Sequence, residues 1–151
     1  MTDARAVYPR HTRYQAAVVR DRHVLLLRCV LPDGHAFWVL PGGGRDPGET
    51  GAETVAREVR EEAGVEVAVG AVLDDVPAEP PDGTYARWRT YHCTLVAGEP
   101  APGGGEGAAV LTAVRWLPLD RPDAWEPALA DDLFLRPQLD RLRAALLAER
   151  A

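Results

Sequence analysis

Glu58, Glu61 and Glu62 stand at i, i+3 and i+4, so on a helix their side chains share an arc of about 100°. Carboxylates at this spacing repel one another by roughly 0.2–0.5 kcal/mol per pair. A hard divalent cation offsets that repulsion, because carboxylate oxygens are the ligands that Mg²⁺ and Mn²⁺ prefer. The chemistry open to such a set is the binding of a divalent metal through carboxylate oxygens. A glutamate-rich helix face is more often plain solvated surface. The segment in front changes the balance: Gly42, Gly43 and Gly44 let the backbone approach a ligand closely, and Glu49 adds a fourth acid. A dinucleotide-binding turn is excluded, because Pro47 follows Gly42 and Gly44 where the GxGxxG spacing calls for another glycine.

Two absences narrow the chemistry further. The chain contains no lysine and no serine, which removes Schiff-base chemistry, the lysine-bearing phosphate loop and the Ser/His/Asp nucleophile. Phosphate charge must then be met by arginine, backbone amides or metal. A formal net charge of -6 argues against binding of polymeric nucleic acid, which needs a basic footprint. Arg5, Arg10, Arg13, Arg20 and Arg22 make the N-terminal segment locally basic, a solvated surface that could also reach a small phosphate. Cys29 and Cys93 lack any zinc-ligand spacing and read as buried free thiols. No apolar run is long enough to span a bilayer, and the opening residues lack the apolar core of a signal peptide. A cytoplasmic protein without a membrane partner is expected.

The elements that must position these residues are legible in outline. Tyr14 to Arg20 and His23 to Val30 read as strands joined by a tight turn at Asp21 and Arg22, and Phe37 to Leu40 as a third strand ending at Pro41. Gly42 to Gly48 reads as a glycine-rich loop. Thr50 followed by Glu53 is the pattern of a reciprocal capping box, and Gly64 supplies the stop. Between them Ala52, Val55, Ala56, Val59 and Ala63 form an apolar stripe expected to pack on the core. Val65 to Val76, Tyr85 to Val96 and Val110 to Leu117 are strand-like, with a Pro-rich acidic loop from Pro77 to Gly83 and a low-complexity, mobile loop from Gly98 to Gly107 between them. Leu139, Leu142 and Leu146 mark a final packing helix with Pro137 in its first turn. At 151 residues and 46% apolar content, one α+β domain is expected, a mixed sheet covered by helices on both faces.

Gly43, Glu49, Arg57, Glu58, Val59, Glu61, Glu62, Gly64 and Val65 occupy every specified position of G-x5-E-x7-R-E-U-x-E-E-x-G-U, where U is aliphatic. In this 23-residue stretch the chain resembles the Nudix (MutT-like) hydrolases. WVLPGGG before the box and VRWLPLD around Trp116 look like the family's flanking strands. The resemblance implies the αβα Nudix sandwich and hydrolysis of a nucleoside diphosphate linked to another moiety. It implies Mg²⁺, with Mn²⁺ as substitute, on Glu58, Glu61, Glu62 and the Gly42 carbonyl. It also implies Glu58 as general base, and Arg57 orienting or pairing with Glu49 as further catalytic residues. The family often adds an acidic ligand from another loop, for which Glu99 and Glu106 are the candidates.

The substrate's far end must be gripped outside the box. Trp38, Arg87 and Arg89 are the leading candidates, with Phe37, Trp88 and Tyr91 beside them as stacking planes. Some ADP-ribose hydrolases of the family carry a proline about sixteen residues after the box, where Pro81 falls. The expected partner is a nucleotide-like small molecule: a nucleoside triphosphate, ADP-ribose or a relative. A non-catalytic nucleotide-sensing or protein-binding module is the alternative, which a degenerate box would mark. Many relatives pair as dimers, so a homodimer is the assembly to test, although no heptad or long apolar strand edge demands it.

Overall fold

The computed structural model describes residues 10–79, 83–104 and 109–147. Strands β1 (Arg10–Arg20) and β2 (His23–Val30) form a hairpin through Asp21 and Arg22, both at positive φ, 50° and 62°. Two consecutive left-handed residues make the turn whose twist matches that of the strands it joins. Strand β3 (Ala36–Val39) pairs with β2 and is followed by a two-residue strand, β4 (Gly42–Gly43). Gly42 and Gly43 lie antiparallel to Gln15 and Tyr14 of β1, so the first part of the expected glycine loop belongs to the sheet. The absence of side chains permits this: a Cβ on Gly42 would stand 2.4 Å from the Tyr14 carbonyl oxygen.

Helix α1 (Gly51–Ala63) starts and stops as its sequence signals require. The Thr50 side chain accepts from the Glu53 amide, the Glu53 carboxylate accepts from the Thr50 amide, and Gly64 closes the helix in the left-handed conformation. Strands β5 (Glu66–Pro77) and β6 (Tyr85–Ala97) form a long antiparallel ribbon, β6 runs parallel to β1, and β7 (Val110–Pro118) pairs with β2. A short helix α2 (Pro127–Ala130) and helix α3 (Leu135–Leu147) complete the order, with Pro137 in the first turn of α3. The main path of the mixed sheet is β3-β2-β1-β6-β5, with β4 added beside β1 and β7 beside β2.

Alternation along β1 and β2 supplies both faces of the sheet. Ala16, Val18, Leu25, Leu27 and Cys29 pack with Val55, Val59 and Ala63 of α1, whereas Ala17, Val24 and Leu26 pack with Leu135, Leu139 and Leu142 of α3. Strands buried on both faces read as continuous apolar runs, as HVLLLRCV does. The architecture is the expected αβα sandwich. Burying a leucine such as Leu139, fully enclosed on the α3 side, contributes roughly 1.5–3 kcal/mol. Cys29 and Cys93 are buried and free, as expected. Burial pushes the Cys93 thiol up to about 12. Among the described residues no helix is long and apolar enough to cross a membrane.

The loop that the composition marks from Gly98 to Gly107 is described as far as Gly104. Its described part is tied to the end of α1, with the Ala101 amide donating to the Ala63 carbonyl and the Gly103 amide to the Glu62 carbonyl. Of the sequence candidates, Arg5, Pro81 and Glu106 lie outside the described residues.

Candidate active site

The buried side of α1 is broader and more polar than its apolar stripe. Ala52 and Ala56 are only half-buried, while Thr54, Glu58 and Glu62 are buried beside Val55, Val59 and Ala63. The three glutamates therefore occupy different environments: Glu58 is 3% exposed and Glu62 7%, against 56% for the Glu61 side chain. They are not gathered into one open patch as their spacing alone suggests. Packing of the helix takes two of them inward and leaves the third in water.

Arg57 organises what lies around them. Its Nε donates to Glu49 Oε2 at 2.8 Å and its Nη2 to Glu49 Oε1 at 3.0 Å, a two-point clasp that a planar guanidinium makes and a lysine cannot. Nη2 also donates to the Gly44 carbonyl at 3.1 Å, tying the glycine segment to the helix. Nη1 reaches Glu58 Oε1 at 3.1 Å and Glu61 Oε2 at 3.2 Å. Glu49 further accepts from the Asp46 amide and the Thr54 hydroxyl. The Arg57 bonds first, and the Asp46 amide next, hold the Glu49 carboxyl down at about 2. The same clasp raises the Arg57 guanidinium above its usual range. Glu49 thus stays ionised near neutral pH, with its two oxygens engaged in aiming Arg57.

On the inner side, the Gly42 amide donates to Glu62 Oε1 at 2.8 Å. Glu62 also lies on the wall of a cavity of about 600 Å³ lined by Phe37, Trp38, Tyr85, Trp88 and Phe134. The carboxylate helix and an aromatic chamber therefore meet at one residue. The chamber wall includes Gln15 and Gln138. Gln15 Nε2 donates to Thr90 Oγ1 at 3.1 Å and to Gln138 Oε1 at 2.8 Å, and Gln15 Oε1 accepts from Arg13 Nε at 3.1 Å. Gln138 Nε2 donates in turn to the Phe134 carbonyl.

A NUDIX domain model matches residues 10–139, most of the chain and all of the elements that build this site. The chain belongs to the Nudix family. It is a Nudix hydrolase, of the class that cleaves nucleoside diphosphates linked to another group. It is 37% identical to the "Putative 8-oxo-dGTP diphosphatase 2" of Mycobacterium tuberculosis over 123 residues, 78% of this chain and 86% of that one. With the nucleoside triphosphatase NudI of an Enterobacter species it shares 51% identity over 87 residues, 52% of this chain and 59% of the relative. The crystal structure of an ADP-ribose pyrophosphatase from Streptococcus suis superposes with a TM-score of 0.66 at 26% identity, covering 93% of this chain and 92% of that one.

Nudix hydrolases generally use a divalent metal, and the donor set suits a hard cation. Glu58, Glu61 and Glu62 offer only oxygens, on a turn where anions are disfavoured by the helix dipole. Among the described residues no three acidic, histidine or cysteine side chains are drawn together into a finished metal cage. A cation nonetheless already stands between two of them, since Arg57 Nη1 bonds both Glu58 and Glu61. Positive charge is called for at that point, and the guanidinium supplies it.

The candidates outside the box separate in space. Trp38 and Phe37 line the cavity, as does Trp88, with the Arg115 guanidinium 5.8 Å from the Trp38 ring centre. Arg87 and Arg89 do not line it: both bind Asp75 across the β5–β6 ribbon, and Arg89 lies over the Tyr14 ring. Tyr91 packs against the α1-side core. Glu99 is strongly exposed and faces Arg20 at 3.7 Å. Sequence reasoning missed Gln15, Thr90 and Gln138. One signal for Gln138 was available, because it interrupts the buried stripe formed by Leu135, Leu139 and Leu142.

Proposed function

We propose that this Nudix hydrolase is a divalent-metal-dependent enzyme that cleaves the diphosphate linkage of nucleoside triphosphates, holding the base in the aromatic cavity. The observation that carries this reading is the position of Glu62, which belongs both to the box helix and to the wall of the chamber containing Trp38, Trp88 and Phe134. A nucleotide needs those two environments next to each other: oxygen ligands for a metal-bound diphosphate, and apolar planes with a few fixed polar groups for the base. The names of the Mycobacterium and Enterobacter relatives point towards triphosphates.

In this reading Glu58, Glu61, Glu62 and the Gly42 carbonyl would hold Mg²⁺, or Mn²⁺ in its place. The bound ion would neutralise the diphosphate and acidify a water. Glu58, buried and bonded to Arg57, would be the group placed to accept a proton from the attacking water. Glu49 keeps Arg57 in place, and Trp38 offers its ring to the base. Arg87 and Arg89 would reach a substrate phosphate only by releasing Asp75. The small nucleotide is the sole partner this reading needs. The net charge of -6 is unfavourable for polymeric nucleic acid. A cytoplasmic setting accords with it, and a homodimer is the assembly to check by light scattering.

The test is a product-identity screen with Mg²⁺ or Mn²⁺ across canonical and oxidised nucleoside triphosphates, ADP-ribose, nucleotide sugars and dinucleotides. Metal-dependent release of a nucleoside monophosphate and pyrophosphate from a triphosphate supports the reading. Preference for ADP-ribose would replace the substrate while keeping the chemistry. Turnover of nothing on the panel would favour the sensor alternative, against which the undegenerate box already speaks.

A further inference from the structure

Glu62 is held at both ends by glycine-rich segments that are far apart in the chain. Its carboxylate accepts from the Gly42 amide at 2.8 Å. Its backbone carbonyl accepts from the Gly103 amide at 2.7 Å, and the next carbonyl, that of Ala63, accepts from the Ala101 amide at 3.0 Å. The last carbonyls of a helix have no partner within it, and they form the negative end of its dipole. Here that end also carries Glu61 and Glu62. The two loop amides therefore satisfy orphan acceptors and bring partial positive charge to the turn where carboxylates are least welcome.

At Gly103 this seat tolerates no side chain. A Cβ there would stand 2.2 Å from the Glu61 carbonyl oxygen and 3.2 Å from the carbonyl carbons of Glu61 and Glu62. These are backbone atoms, which cannot rotate aside. At the neighbouring Gly104 a Cβ would meet nothing within 4 Å. Two adjacent glycines in one exposed loop thus make opposite demands.

We propose that Gly103 is a positioning residue for the metal-binding turn of α1, seating the loop after β6 on the Glu62 carbonyl so that Glu61 and Glu62 present their oxygens correctly to the divalent cation. The inference rests on the metal-dependent reading above. A methyl group at Gly103 must push the loop off or shift the Glu61 peptide. Either change loosens the turn that carries two of the three carboxylates.

The experiment compares wild type, Gly103→Ala and Gly104→Ala by Mn²⁺ titration without substrate, reading free Mn²⁺ by electron paramagnetic resonance. Melting curves and the Mn²⁺ dependence of turnover are measured alongside. Gly103→Ala is expected to weaken Mn²⁺ binding about tenfold or more, the scale on which groups that orient metal ligands act. It should raise the half-saturating Mn²⁺ for turnover by the same factor, with kcat returning towards wild type at high Mn²⁺. Gly104→Ala should match wild type in both. Unchanged Mn²⁺ affinity in Gly103→Ala would overturn the proposal and leave metal dependence standing. So would equal weakening in both variants, which would make loop composition rather than this seat the cause. Failure of the wild type itself to bind Mn²⁺ would overturn the proposal together with the metal-dependent reading. If Gly103→Ala does not fold, Ala101→Pro removes the companion amide without crowding Glu61. Weakened Mn²⁺ binding in that variant supports the seat, and wild-type affinity overturns it.

Discussion

Replacing Arg57 with alanine removes the group that ties Glu49, Gly44, Glu58 and Glu61 together, and its cost can be worked from the contacts. Two charge-assisted bonds run to Glu49 at 2.8 and 3.0 Å, and one runs to Glu58 at 3.1 Å. The bond to the buried Glu58 would contribute about 1.5–3 kcal/mol in isolation. Bonds sharing one guanidinium are not additive, and the Arg57 and Glu49 side chains are 21% and 19% exposed, so solvent screens part of the clasp. The Glu58 bond weighs most, because that carboxylate is buried, but with Arg57 itself 21% exposed the loss stays below the roughly 3–5 kcal/mol of a fully buried pair. Taken together, Arg57→Ala should destabilise the fold by about 2–4 kcal/mol, or roughly 6–12 °C in Tm at the middle of that range. Arg57→Lys should lose about half as much, since a point charge keeps one partner but not the fork. Urea unfolding at neutral pH in the presence of a chelator, followed by circular dichroism and tryptophan fluorescence, measures both. A loss below about 0.5 kcal/mol for Arg57→Ala, the range of an ordinary surface change, would refute the reasoning. A lysine variant equal to wild type would show that charge alone, without the fork, suffices.

Glu58→Gln should lower kcat by about 10²–10⁴, the scale of general acid–base catalysis, with Tm close to wild type. Turnover at the wild-type rate would remove Glu58 from the proton transfer. Trp38→Ala should raise KM by about tenfold or more with kcat little changed, because ring contact binds ground and transition states alike. An unchanged KM would place the base elsewhere. Leu139→Ala, in the enclosed layer between α3 and the sheet, should cost about 2–5 kcal/mol in urea unfolding, and a cost under about 1 kcal/mol would mean that α3 is loosely docked. The Glu49 carboxyl, held at about 2 against an ordinary 4.5, makes its stabilising contribution fully above pH 4.5. That contribution is lost as pH falls through about 2. Acid titration of wild type and Glu49→Gln should therefore converge in stability at low pH, and parallel curves would contradict the assignment.

Much of this protein was legible from signals that act over one turn of chain. The capping box of Thr50 and Glu53, the left-handed stop at Gly64 and the turn at Asp21 and Arg22 all formed where their residue types required. Each depends on hydrogen bonds or φ preferences within a few residues, so no distant partner can override it cheaply. The apolar runs of β1 and β2 marked strands, and the order of strands and helices pointed to helices on both faces of the sheet. The box residues, too, are a local pattern, and the Arg57–Glu49 pairing followed from it.

Other properties depended on closure of the sheet. Spacing put Glu58, Glu61 and Glu62 on one arc, but packing of α1 decided that two are buried and one is exposed. Composition marked the segment from Gly98 as a mobile loop and did not show that its amides at Ala101 and Gly103 meet the last carbonyls of α1. Arg87 and Arg89, read as candidates for phosphate contacts, meet Asp75 through the β5–β6 register, which spacing alone does not show. Gln15, on the cavity wall, is joined to Gln138 on the same wall and to Thr90 behind it, 123 and 75 residues away. Sequence determined what each segment could be, because backbone preference and periodicity are short-range. Tertiary structure decided which polar groups left water and whom they met there, because burial is a property of the closed fold and of no single segment.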